Sequence, residues 1–236
     1  MGQFERNRLD KRRITETIEK LEQRIAERFP EAGLREVCTG LLLVSRQIDD
    51  DLRYIARPNW WLRTTVILFL LLVAGGLIFG VLNTELAGKH LNMVDFIQIA
   101  EAGLNDVVLM GAAVIFLISF ENRNKRGRVI HAVNGLRSIA HVIDMHQLTK
   151  DPSVVSGGDT EHSPKRALSP EALGRYLDYC AEMLSLTSKV AICYIQNFDD
   201  PQAVAAVNEL ESLTTGLSRK VWQKIMLLRQ DIQGRS

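Results

Sequence analysis

Apolar residues recur along this chain in two ways, as stripes at helical spacing and as unbroken runs. The changes from one to the other divide it. Between residues 10 and 29, Ile14, Ile18, Leu21, Ile25 and Phe29 fall three or four apart, the spacing of one face of an α-helix. Asp10 stands where an N-cap is needed, and Pro30 closes the segment. Residues 32–57 repeat the pattern with Leu34, Val37, Leu41, Ile48, Leu52 and Ile55, before Pro58. Together they predict an antiparallel helical hairpin over residues 1–58.

From Thr64 to Thr84 the stripe gives way to TTVILFLLLVAGGLIFGVLNT, 21 residues without a charge. A helix that crosses a bilayer needs about 20 predominantly apolar residues. A first transmembrane helix is therefore expected over 59–83. The second run, 107-VVLMGAAVIFLISF-120, has only 14 uncharged residues, a length that also suits a buried core helix. Two flanks favour a span. The stretch 96-FIQIAEAGLND-106 extends the apolar pattern upstream, and 121-ENRNKRGR-128 ends it with four cations. The second transmembrane helix is expected over 104–121, with a short external connection over 84–103.

Stripes return after the second run. A stalk helix over 122–148 carries Ala132, Leu136, Ile139, Ala140 and Ile143 on one side. Residues 149–169 are rich in Gly, Pro and Ser with balanced charges, the composition of a disordered linker. Ser169, Pro170 and Glu171 form a helix start, and a C-terminal helical hairpin follows over 170–236. Its first helix alternates Leu173, Leu177, Cys180, Leu184, Thr187, Ala191, Tyr194 and Phe198 four and three apart, a coiled-coil type of seam. Its second helix aligns Val207, Leu210, Leu213, Leu217, Val221, Ile225 and Leu228, with Gly216 as a point for a kink or close approach. No strand-like alternation of any length occurs. The fold class expected is an all-α membrane protein: a two-helix transmembrane hairpin with a cytoplasmic helical bundle formed from the N- and C-terminal segments.

Charge orients the hairpin. Arg53, Arg57 and Arg63 precede the first run, and Arg123, Lys125, Arg126 and Arg128 follow the second. The connecting segment holds Glu85, Asp95, Glu101 and Asp106 against Lys89. Retention of cations on the cytoplasmic side places both termini inside, at the plasma (inner) membrane, with Trp60 and Trp61 at the headgroup level. The first run begins too far into the chain for a cleaved signal peptide. A net charge of +1 gives no general field for nucleic acid, so no nucleic-acid partner is expected. Cys38, Cys180 and Cys193 all fall in cytoplasmic parts and should remain thiols.

Candidate chemistry is sparse. Arg137, His141 and Asp144 share one side of the stalk at i,i+4 and i,i+3, a candidate interaction cluster opposite the apolar stripe. His141 and His146 point about 140° apart on a helix, so one metal cannot take both without a break. Gly76 and Gly80 form a GxxxG suited to helix packing, within the hairpin or between protomers. Arg123, Lys125, Arg126 and Arg128 are expected to face lipid and attract anionic headgroups. Glu101 and Asp106 belong at the outer headgroups, where they could attract cations. No phosphate-binding loop, nucleophile elbow or zinc spacing occurs, so neither an enzyme nor a cofactor is expected. The function expected is a non-enzymatic membrane-anchored interaction or signalling protein, with the lipid bilayer and either its own copies or a protein at the cytoplasmic face as partners. The alternative is a homo-oligomeric ion channel or membrane-permeabilising effector gated by the bundle. Neither run supplies a stripe of polar residues to line a pore, which favours the anchor.

Overall fold

The computed structural model describes residues 9–57, 60–86, 93–148, 150, 168–196 and 198–234. Among them are six α-helices and no strand: α1 Lys11–Arg28, α2 Gly33–Ala56, α3 Trp60–Leu86, α4 Met93–Leu148, α5 Pro170–Ile195 and α6 Pro201–Gly234. One helix, α4, is long and apolar enough to cross a membrane; the apolar stretch found within α3, Arg63–Gly76, is shorter. Because α4 starts at Met93, much of the connection expected over 84–103 is helical. The stalk is the same helix, continued. Most of the linker expected over 149–169 lies outside the described residues, as does Pro58.

Local chemistry explains several ends. Asp10 caps α1, its Oδ1 accepting from the Arg12 amide at 3.0 Å. Ser169 caps α5 the same way, accepting from the Ala172 amide at 3.2 Å with Pro170 in the first turn. Asp200 caps α6, its Oδ1 accepting from the Gln202 and Ala203 amides at 3.0 and 3.1 Å. The pair of aspartates before Pro201 reads as a turn in the sequence. One of them is also a cap.

The chain forms two compact units, one of Met1–Ile55 with Arg126–Ser236 and one of Ala56–Lys125. In the first, five helices follow one another in the spatial order α1, α2, α4, α6, α5, and α5 returns to α1. Ion pairs Lys11–Asp49, Glu19–Arg46 and Glu22–Arg35 run α2 antiparallel to α1. Arg128 donates to the Tyr54 carbonyl at 2.7 Å, and Gly33 lies under the His146 ring, so α4 runs antiparallel to α2. Arg126 with Gln202, Arg137 with Glu209 and Lys224 with the Gln147 carbonyl set α6 parallel to α4. The α5–α6 hairpin and the pairs Arg24–Glu182 and Phe29–Tyr176 close the ring.

The buried set is largely the expected one. Ile14, Ile18, Leu21 and Ile25 of α1 and Val207, Leu210, Leu217, Val221 and Ile225 of α6 are buried. On α4 the buried stripe is Val129, Val133, Leu136, Ala140, Ile143 and Gln147; Ala132 and Ile139 are half-buried at its edge. The stripe is thus shifted from the expected one and starts a turn earlier. Helix α5 is buried on more than its seam: Tyr176, Tyr179, Met183, Leu186, Val190 and Cys193 are covered as well as Leu177, Cys180 and Leu184. It meets α1 on one side and α6 on the other, so two faces are apolar. At Gly216 the helix runs on through, and a Cβ there would meet nothing among the described residues within 4 Å. No close approach occurs at that glycine.

Candidate functional site

The second unit has the inverse distribution of surface. None of the residues in the apolar window of α4 is buried. Ile115 and Phe116 are 67% and 64% exposed, and Leu68, Leu72 and Phe79 of α3 are comparable. In water such a surface would cost about 25 cal/mol for each Å² of apolar area. It far exceeds the scattered apolar residues of an ordinary soluble surface. Trp60 and Trp61, 70% and 83% exposed, stand at the start of α3.

A compact ionic contact ties the two helices at that end. Arg63 of α3 donates through Nη2 to both carboxylate oxygens of Glu121 on α4, at 3.1 and 2.9 Å. Lys125, one turn on, lies 3.2 Å from the same carboxylate. Glu121 is only 8% exposed, so its charge is held by two cations rather than by bulk water. From Arg63, the half-buried positions Val66, Leu70, Val73 and Ala74 continue along one face of α3. On α4, Gly103, Asp106, Met110, Ala113 and Leu117 lead to Glu121 at matching spacing. The half-buried face of each helix thus runs on from its member of the ion pair. Gly76 is exposed and a Cβ on it would meet nothing among the described residues within 4 Å, so it lies off the half-buried face of α3. The surroundings of Gly80 lie outside the described residues.

The four cations expected to face lipid do different things. Arg123 is exposed. Lys125 pairs with Glu121. Arg126 donates to the cap residue Asp200 at 3.0 Å and to Gln202 at 2.8 Å. Arg128 reaches the Tyr54 carbonyl while its guanidinium lies 4.3 Å from the centre of the Tyr54 ring. Three of the four are therefore bonded within the protein, whereas Arg123 makes no such bond among the described residues. The signal missed was Asp200: a carboxylate at a helix N-terminus attracts a cation as well as capping amides.

No protein family, curated protein or solved structure matches the chain.

The stalk cluster is dispersed. Arg137 bonds Glu209 on α6 at 2.9 Å, Asp144 accepts from the Gln147 side chain, and His141 is exposed. The three residues do share the polar side of α4, but they do not join one another. His146, the second histidine of that stretch, is half-buried, and a Cβ on Gly33 would come within 2.5 Å of its ring. Among the described residues no three His, Cys, Asp or Glu side chains group at metal-binding distance. Burial pushes the thiols of Cys38 and Cys180 up to about 12 and raises that of Cys193, which leaves all three protonated and unreactive near neutral pH. Burial, and then the bond that its hydroxyl donates to Asp51 at 2.7 Å, likewise raises Tyr194. Lys11 bonds Asp49 and holds its carboxyl below the usual range. These groups build the bundle. They do not converge on a reacting centre.

Proposed function

We propose that the chain is a non-enzymatic membrane-anchored interaction protein, held by a two-helix transmembrane hairpin, α3 and α4, with both termini and the bundle on the cytoplasmic face of the plasma (inner) membrane. The observation that carries this reading is the unburied apolar window of α4. Inside a folded protein such a helix would be covered; a bilayer covers it without further protein. The Arg63–Glu121 contact supports the hairpin, because it joins the start of the α3 run to the end of the α4 run. The exposed tryptophans and the cations Arg57, Arg63 and Arg123 stand at that same end of the sequence runs, as the inner boundary of a membrane requires. Among the described residues of the bundle the perturbed side chains Cys38, Cys180, Cys193 and Tyr194 are buried in its packing, which leaves its surface as the part open to a partner.

Reporter fusions at position 90 and at the C-terminus test the topology. An external signal at 90 with a cytoplasmic one at the C-terminus is expected; a cytoplasmic signal at 90 overturns the hairpin. The channel alternative has one observation in its favour, the exposed Glu101 and Asn105 at the outer end of the apolar run of α4. The mass of the detergent-solubilised protein and ion flux in liposomes separate the two. Flux through a ring of copies replaces the anchor; a small assembly without flux removes the channel.

A further inference from the structure

We propose that the apolar half of α4 carries a homotypic interface: a stripe of Gln98, Glu101, Asn105, Ala112 and Ser119 that pairs with the same stripe of a second copy of this chain. The proposal rests on α4 crossing a membrane.

These positions, with Val108 and Ile115 between them, alternate three and four apart, the repeat that keeps one face of a helix against a partner helix. Every one of them is exposed. The half-buried face, which ends at Glu121 and its bond to Arg63 of α3, is a different one, marked by Gly103, Asp106, Met110, Ala113 and Leu117. At 100° per residue the two faces diverge by roughly 160°. The hairpin contact therefore leaves the stripe free.

Depth identifies the occupant. Asn105 is sixteen residues from Glu121, about 24 Å along a helix axis, and so within the roughly 30 Å hydrocarbon layer. An exposed amide there loses water and receives nothing from lipid tails, an unfavourable state. What covers it must present a polar group at the same depth on an otherwise apolar helix. Copies of one membrane protein insert in one orientation, so each presents its own Asn105 at that depth. A carboxamide both donates and accepts, which makes the pair self-complementary. Ala112 and, deeper towards Glu121, Ser119 are small enough for close backbone approach. Glu101 lies about 30 Å from Glu121 by the same rise, at the headgroup level, where its charge is hydrated and does not oppose pairing.

The test uses the full chain in liposomes, with single cysteines introduced by Val108→Cys and Ala112→Cys on the stripe and by Leu104→Cys, Gly111→Cys and Ile118→Cys beside it. Cys38, Cys180 and Cys193 are buried, so the unsubstituted chain gives a silent control. Mild oxidation should cross-link the stripe variants at least ten-fold faster than the others. Asn105→Ala should weaken self-association about five-fold, the ~1 kcal/mol of an interhelical hydrogen bond in a membrane, and Asn105→Gln should restore most of it. Cross-linking through the same stripe in a ring larger than a dimer retains the interface. Equal rates on both sets, faster rates at 104, 111 and 118, or a monomer at every concentration overturn it. Release of the protein from membranes by alkaline carbonate instead overturns the membrane reading on which the proposal stands.

Discussion

The two halves of α4 are one continuous helix and two different kinds of surface. From Arg126 to Leu148 a narrow buried stripe, Val129 to Ile143, is flanked by Arg137, His141 and Asp144. From Gly103 to Phe120 the residues are apolar on nearly every side, and none is buried. The second stretch is the more hydrophobic and the less covered. Hydrophobicity alone thus does not tell which part of a chain forms a core. The arrangement of polar residues around the helix does, because a one-sided stripe needs one protein neighbour and an all-round apolar surface needs covering on every side, by protein or by lipid.

The sharpest way to break this contrast is to put a charge on each kind of surface. Leu184→Asp, at a fully buried position on α5, should cost more than about 4 kcal/mol and unfold the bundle, because the charge has no partner there. Loss of the thermal transition followed by circular dichroism checks it, and an unchanged midpoint would mean that α5 is not central. Leu109→Asp, exposed on α4 between the proposed stripe and the half-buried face, should leave the bundle folded and weaken membrane insertion by about 3 kcal/mol. Carbonate extraction measures that loss; equal retention with the parent chain would remove the lipid from the comparison. A smaller effect sharpens the boundary between the halves. Asp200→Ala removes both the α6 cap and the carboxylate that Arg126 meets, and should cost about 2 kcal/mol in denaturant unfolding. His141→Ala should change stability by less than about 0.5 kcal/mol, since the ring is exposed. A loss above about 2 kcal/mol would place that histidine in the core.

Much of the bundle was legible from residue spacing, and the failures have a common cause. The stripes of α1 and α6 are plain because each helix is covered on one side only. On α5, the seam through Leu177, Cys180 and Leu184 can be read, but Tyr176, Tyr179 and Met183 belong to a second face that meets α1. Two overlapping stripes blur into general hydrophobicity. Arg126 and Arg128 look like topology signals because the partners that hold them, Asp200 and the Tyr54 carbonyl, lie 74 residues away in either direction. Spacing along one helix says nothing of contacts made at that separation. The same holds for His146, whose half-burial depends on the absence of a side chain at Gly33. Arg137, His141 and Asp144 share one side of the stalk, yet the two charged ones are bound to Glu209 and Gln147 rather than to each other.

The return of α5 to α1 has a consequence for biosynthesis. The helices that complete the ring leave the ribosome after α1 and α2. At typical synthesis rates, on the order of ten seconds or more separates Ile55 from Pro201. During that interval Ile18, Leu21, Ile25 and Phe29 lack the α5 surface that later covers them, and the intervening stretch is the one with the greatest affinity for lipid. The nascent hairpin must therefore wait, with its α5-facing side uncovered, until α3 and α4 and then α5 have been made. A chain stopped short of α5 should be a substrate for chaperones and proteases, whereas one stopped after α6 should not.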